Sequence, residues 1–135
     1  MSGDKTTGPS ARPRQTLVAD GPARLELDTD GVAHVRLARP DAANGLDMDM
    51  LAGLHSVLLK VHGDQRVRAV LLTGEGKNFC AGGDVHAFLA KGEQLPGYIR
   101  QATALLQQVA GMLIRLPAPV VTAVQGFAAG GGGLG

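Results

Sequence analysis

The sequence predicts an α/β fold from three features: two short apolar runs that each end in a glycine-rich turn, two stretches with helical apolar spacing, and one alternating hairpin. Residues 67–72 contain Val67, Ala69, Val70, Leu71 and Leu72 and stop at Thr73-Gly74-Glu75-Gly76, which reads as a buried strand ending in a tight turn. Residues 120–124 repeat the phrase, with Val120, Val121 and Val124 leading into a run of small residues and glycines. Between these strands lie helical patterns, so strand and helix alternate along the chain.

Residues 1–20 hold almost nothing apolar before Leu17 and are rich in Ser, Thr, Gly, Pro and basic residues; burial cannot offset their ordering entropy, and a disordered tail is expected. Residues 24–28 and 32–37 alternate around Thr29-Asp30-Gly31, a hairpin signal that leaves His34 in the polar, solvent-facing phase. Pro40 ends the second strand, and Asn44-Gly45 supplies a turn with positive φ. Asp47 caps a helix whose apolar stripe is Met50, Leu51, Leu54, Val57, Leu58 and Val61, with His55 at its edge and His62 in its last turn. Asp84 caps a short helix over residues 85–95 that breaks near Gly92 and Pro96. Tyr98, Ala102, Leu105, Leu106, Val109, Met112, Leu113 and Leu116 trace a longer amphipathic helix that Pro117 stops, and residues 120–124 are expected as a second buried strand.

Composition narrows the function classes. With 44% hydrophobic and 19% charged residues, the 135-residue chain has the makeup of one globular domain, here residues 21–135. The 13 basic residues face 12 acidic ones and aromatics are 3%, so no nucleic-acid surface is expected. No apolar run reaches the length of about 18 residues that a membrane span needs. Cys80 is the single cysteine, which excludes an internal disulfide, fits the reducing cytoplasm, and reads as a small buried hydrophobe. No metal-ligand pattern is present.

The glycine turns carry the chemistry. Gly82 and Gly83 remove both Cβ barriers, so backbone N–H groups there can face a cavity instead of a ladder. A phosphate-cradling loop is excluded, because no Lys followed by Ser or Thr comes after the glycines. A dinucleotide fingerprint is only loosely matched by the second turn. Two readings stay open on the residues alone: glycines that allow close strand and helix packing, or two turns aiming N–H groups at one carbonyl oxygen to stabilise an oxyanion or enolate.

Asn44-Gly45-Leu46 after Arg39-Pro40, then Phe79-Cys80-Ala81-Gly82-Gly83-Asp84, then Pro119-Val120 leading to Gly126-Phe127-Ala128-Ala129-Gly130-Gly131-Gly132, resembles the enoyl-CoA hydratase/isomerase (crotonase) family over residues 21–135. It is most similar to the isomerase-type branch. The resemblance implies a crotonase-like spiral of ββα repeats, here its N-terminal part, and a substrate carried as a coenzyme A thioester with no permanently bound cofactor. It implies Gly83 and Gly131 as the two oxyanion N–H donors. It places Ala81, Asp84 and Val85 near the pantetheine and adenine, and Ala43 and Gly45 in a loop closing over the nucleotide. A homo-oligomer, trimer or hexamer, is implied for the full-length protein.

The chain departs from the hydratase pattern where the family's acid/base glutamate belongs, two residues after Gly132, because Leu134 stands there. The family's remaining base falls beyond Gly135, so the chain alone is expected to be inactive and partly disordered over residues 126–135, with an uncovered face on residues 120–124. Asp84 reads as a helix cap rather than a base. His86, Glu93, Arg39 and Lys77 read as solvated groups, although Arg39, Lys77 and His86 lie where CoA phosphates could meet them. The rival to an acyl-CoA isomerase is a non-catalytic acyl-CoA-binding protein.

Overall fold

The computed structural model describes residues 13–130 and 132. Five strands form one mixed sheet in the order β1 (Arg14–Val18), β2 (Ala23–Asp28), β3 (Val32–Leu37), β4 (Ala69–Gly74) and β5 (Val120–Thr122). The first three are antiparallel neighbours, while β3/β4 and β4/β5 are parallel. Parallel neighbours need crossovers. They are supplied by α1 (Met48–Gly63) between β3 and β4, and by α2 (Val85–Leu89) and α3 (Leu95–Arg115) between β4 and β5.

Register explains why one face of the sheet is dry. Leu25 faces Val35, Val35 faces Leu72, Ala33 faces Val70 and Val70 faces Val120, so the alternating apolar residues of each strand line up in rows. Against this face pack α1, whose six stripe residues are all buried, and α3, through Ala102, Val109 and Met112. Each fully buried aliphatic side chain contributes about 1.5–3 kcal/mol relative to exposure. Asp47 starts α1 by accepting the Met50 N–H at 2.8 Å. At the far end of α3, Leu116 has left the helix (ψ 133°), as the residue before Pro117 should.

Several expectations need correction. Residues 14–18 are not a disordered tail: they form β1, because pairing to β2 satisfies their backbone and Leu17 and Val18 pack on the core. Residues 1–12 lie outside the described residues. The helix at 85 ends at Leu89, and Pro96 does not break a helix but sits in the first turn of α3, where a missing N–H costs nothing. The positive φ expected at Asn44-Gly45 falls on Asn44 (53°) and is shared by Ala43 (52°), while Gly45 stays outside that region. The expected buried strand at 120–124 is shorter, an edge strand with Val121 59% exposed.

His34 is not solvent-facing. Its Nε2 lies 3.1 Å from Asp28 Oδ2, while Asp28 Oδ1 accepts the N–H groups of Asp30 (2.9 Å) and Val32 (3.0 Å) that close the hairpin. Burial works to raise the Asp28 pKa, but the Val32 N–H, His34 and the Asp30 N–H outweigh it and hold the carboxyl below its ordinary value. A depressed folded-state pKa stabilises above the unfolded value of about 3.9 and loses that stabilisation as pH falls through the folded value. Asp28→Asn should therefore be less stable than the parent at neutral pH, with the difference closing under acid. Urea midpoints measured down the acid limb check this, and a constant difference between the two proteins would show that the carboxylate charge does not matter.

Candidate functional site

Three backbone segments converge beyond the ends of β3, β4 and β5. Residues 79–84 lie in the middle, flanked on one side by 43–46 and on the other by 125–129. Ala81 donates to the Ala43 carbonyl at 3.0 Å, Leu46 to Gly82 at 2.7 Å and Asp84 to Leu46 at 3.4 Å. On the other side Phe79 donates to Gln125 at 2.7 Å, Cys80 to Phe127 at 3.0 Å and Ala129 to Cys80 at 3.1 Å. Two isolated parallel bridges, Leu46 with Gly83 and Cys80 with Ala128, summarise the arrangement.

This pairing fixes the direction of one N–H. In a trans peptide the carbonyl and the following N–H point opposite ways, and the chain has no cis bond among the described residues. The Gly82 carbonyl is held by Leu46, so the Gly83 N–H points away from the 43–46 segment. Among the described residues it makes no hydrogen bond. Gly82 sets this up with φ +88°, and a Cβ there would stand 2.6 Å from the Ala129 carbonyl oxygen, so no side chain fits. Gly83 itself is exposed, and a Cβ on it would meet only the ring of Phe88, Cε2 at 2.9 Å and Cζ at 3.0 Å.

The surroundings hold the loop in place. The Phe88 ring stands edge-on to Tyr98 with centroids 5.7 Å apart, and the Lys91 ammonium lies 4.7 Å from the Tyr98 ring centre. Tyr98 is buried, and its hydroxyl accepts the Met48 N–H at 3.1 Å, fastening α3 to the start of α1. Gln125 Nε2 donates to the Gly74 carbonyl at 2.6 Å and to that of Gly76 at 3.0 Å, and Asn78 Oδ1 accepts the Phe127 N–H at 3.0 Å. Gly132 packs on Cys80, where a Cβ would lie 2.4 Å from the Cys80 carbonyl oxygen.

The structure brings most of the sequence-predicted site residues together. Ala43 and Ala81 are bonded neighbours, and a Cβ on Gly45 would be 3.4 Å from the Asp84 Cβ, so Ala43, Gly45, Ala81, Gly83 and Asp84 form one patch. Val85 continues it, 61% exposed. Gly131 lies outside the described residues, although its neighbours Gly130 and Gly132 sit beside Gly82 and Cys80. Asp84 caps α2, accepting the Ala87 N–H at 3.0 Å, as its position predicted. Cys80 is 1% exposed; burial pushes its thiol pKa up against the Gly82 N–H, and its Sγ donates to the Asn44 carbonyl at 3.1 Å. Such a thiol packs and does not react.

Arg39 is not a solvated cation. It pairs with the Asp47 carboxylate, whose hydrogen bond raises the guanidinium pKa despite partial burial. His62 Nε2 lies 2.9 Å from the Met112 carbonyl oxygen, a contact between α1 and α3 rather than a dipole effect alone. His86, Lys77 and Glu93 are exposed. Sequence reasoning missed the main organiser, Asn44. Its side chain is fully buried, its Nδ2 reaches the carbonyls of Glu75 (3.0 Å), Asn78 (3.0 Å) and Phe79 (3.1 Å), and its Oδ1 accepts the Arg39 N–H at 2.8 Å. The signal available was an Asn beside a Gly, which reads as an ordinary turn.

Comparison with known proteins bears on this patch. A family profile described as "Enoyl-CoA hydratase/isomerase" matches residues 28–134. The chain is 37% identical over 113 residues to the "Probable enoyl-CoA hydratase echA12" of Mycobacterium leprae (strain TN), covering 80% of this chain and 38% of that protein. It is 33% identical over 105 residues to the 4-chlorobenzoyl coenzyme A dehalogenase-2 of an Arthrobacter species, covering 77% and 38%. The crystal structure of an enoyl-CoA hydratase from Mycobacterium smegmatis superposes with a TM-score of 0.72 at 36% identity, over 78% of this chain and 40% of that one. Such matches leave more than half of each of these proteins without a counterpart in this chain.

Proposed function

Because the chain belongs to the enoyl-CoA hydratase/isomerase family, we propose that it forms part of an acyl-CoA-processing enzyme in which the Gly83 N–H polarises a thioester carbonyl. The observation that carries this reading is the uncommitted Gly83 N–H, turned outward by the grip of Leu46 on the Gly82 carbonyl. The second donor is Gly131. Hydrogen bonds from both to the thioester oxygen stabilise the enolate that forms when a proton leaves the α- or γ-carbon of an enoyl group, and returning a proton at the other carbon shifts the double bond. An isomerase is favoured over a hydratase because Leu134 cannot hold or deprotonate water. Ala81, Asp84 and Val85 would lie along the pantetheine and adenine and Ala43 and Gly45 in the loop over the nucleotide, the small Ala43, Gly45 and Ala81 leaving room for the carrier. We place the enzyme in the cytoplasm as a homo-oligomer, trimer or hexamer.

One observation favours a second reading, binding without proton transfer: Asp84, the carboxylate next to Gly83, is engaged by the Ala87 N–H. Exchange of the α-proton of an acyl-CoA in deuterated water separates the two, since exchange needs a base and binding does not. Ala81→Leu tests the CoA patch. Ala81 is half-buried beside Ala43, and a larger side chain there should lower CoA affinity, measured by calorimetry, while the thermal transition stays cooperative. Unchanged affinity in the folded variant would move the CoA site elsewhere.

A further inference from the structure

Gly83 does not hold its own orientation. Its peptide is turned by Leu46, and the segment carrying Leu46 is anchored at its other end by one buried side chain. Asn44 offers two amide hydrogens to three carbonyl oxygens, those of Glu75, Asn78 and Phe79, and accepts the Arg39 N–H on Oδ1. Its own backbone carbonyl receives the Cys80 thiol. One residue thereby ties the 39–46 segment both to the turn after β4 and to the entry of the glycine loop. Ala43 and Leu46, on either side of it in that segment, make the three bonds to residues 81, 82 and 84. If the segment slides along residues 79–84, the 82–83 peptide rotates with it. Asn44 is 0% exposed, so it acts through the backbone and not on a ligand.

We propose that Asn44 is a positioning residue for thioester polarisation: by clamping the 39–46 segment to the 75–79 turn it sets the angle at which the Gly83 N–H meets the carbonyl oxygen. The inference rests on the reading of Gly83 as a carbonyl donor. It predicts a loss mainly in the chemical step, because a small slide of the segment misaims one donor while Ala43, Gly45 and Ala81 still lie against one another and keep most of the substrate affinity.

The test replaces Asn44 by Asp, which keeps the shape and tolerates the positive φ of 53°. A carboxylate still accepts from Arg39, but its second oxygen then faces three carbonyl oxygens; once protonated, it can donate to one of them. The titratable and charged groups around position 44 are Cys80, whose thiol pKa burial pushes up, the Arg39–Asp47 pair, Asp84 beside Gly45, and Glu75, which is paired with Arg36. Butyryl-CoA labelled with ¹³C at the thioester carbonyl is the probe, and the infrared stretch of the bound carbonyl is the readout, independent of turnover. With wild-type protein the stretch should fall on binding, equally at about pH 5 and about pH 8. With Asn44→Asp the fall should be mostly lost at about pH 8 and regained toward about pH 5, with dissociation constants within about threefold of wild type. Asn44→Gly, which keeps the left-handed backbone and removes the clamp, should lose it at every pH. A full carbonyl shift in either folded variant at about pH 8 overturns the role of Asn44 and leaves the Gly83 reading standing. No shift in the wild-type complex overturns the Gly83 reading itself.

Discussion

In the complete enzyme, replacing Gly83 by proline should lower turnover of an enoyl-CoA by about 10²–10³-fold, the usual consequence of deleting one oxyanion donor. Proline removes the N–H, and its fixed φ near −65° does not collide with a left-handed requirement, because Gly83 lies outside the positive-φ region that Gly82 occupies. Alanine is the control. Its Cβ meets the far end of the Phe88 ring at 2.9 Å, a side chain able to swing, so the N–H survives at the cost of a ring movement. Alanine should therefore retain most of the activity that proline loses. Since proline also restricts the residue before it, and Gly82 holds φ +88°, folding of the variant is checked by its thermal transition. A backbone ester at position 83 deletes the same hydrogen with no ring at all. Full turnover in either the folded proline variant or the ester protein would remove Gly83 from the mechanism.

The sequence carried α1, the buried stripe of α3 and the existence of β2 to β5 because those depend on local periodicity. Every residue of the predicted stripe on α1 is buried, and Asp47 caps it. What it did not carry depends on register and on side chains that serve distant backbone. β1 was unreadable since only pairing with β2 makes residues 14–18 a strand, and a ladder leaves no mark on composition. The contact of His34 with Asp28 needs the pairing of Glu26 with His34, which places the end of β2 beside the ring. At Asn44-Gly45 the turn with positive φ was foreseen, and its sharing with Ala43 was not. Asn44 takes the left-handed backbone, and Gly45 is small because a Cβ would press on the Ala42 carbonyl at 3.2 Å and on Asp84. The patch of Ala43, Gly45, Ala81, Gly83 and Asp84 followed from motif resemblance; the physical reason that these residues meet is the parallel pairing of three segments, which no spacing rule states. Exposure of Val121 likewise follows from β5 lying at a sheet edge, in keeping with the uncovered face expected for residues 120–124.

Phe79→Ala should be the most damaging substitution to stability, costing about 3–5 kcal/mol. Phe79 is the largest of the fully buried side chains, 2% exposed. With Leu46, Leu72, Cys80 and Leu106 it lines an apolar pocket of about 40 Å³ between the sheet and the helices, so removing the ring enlarges a space that is already there. Its backbone adds a second consequence. The Phe79 carbonyl accepts from Asn44 and its N–H donates to Gln125, so loosening here reaches both neighbours of the glycine loop at once. Total stability of small domains is about 5–15 kcal/mol, and a loss of this size leaves a marginal protein. Leucine at the same position refills part of the volume and should recover a good share of the loss. Urea unfolding at 25 °C gives the measurement: the midpoint should drop while the denaturant slope stays near that of the parent. A loss below about 1 kcal/mol for the alanine variant would mean that the core relaxes around position 79, and that the ring is not what holds the glycine loop against the sheet.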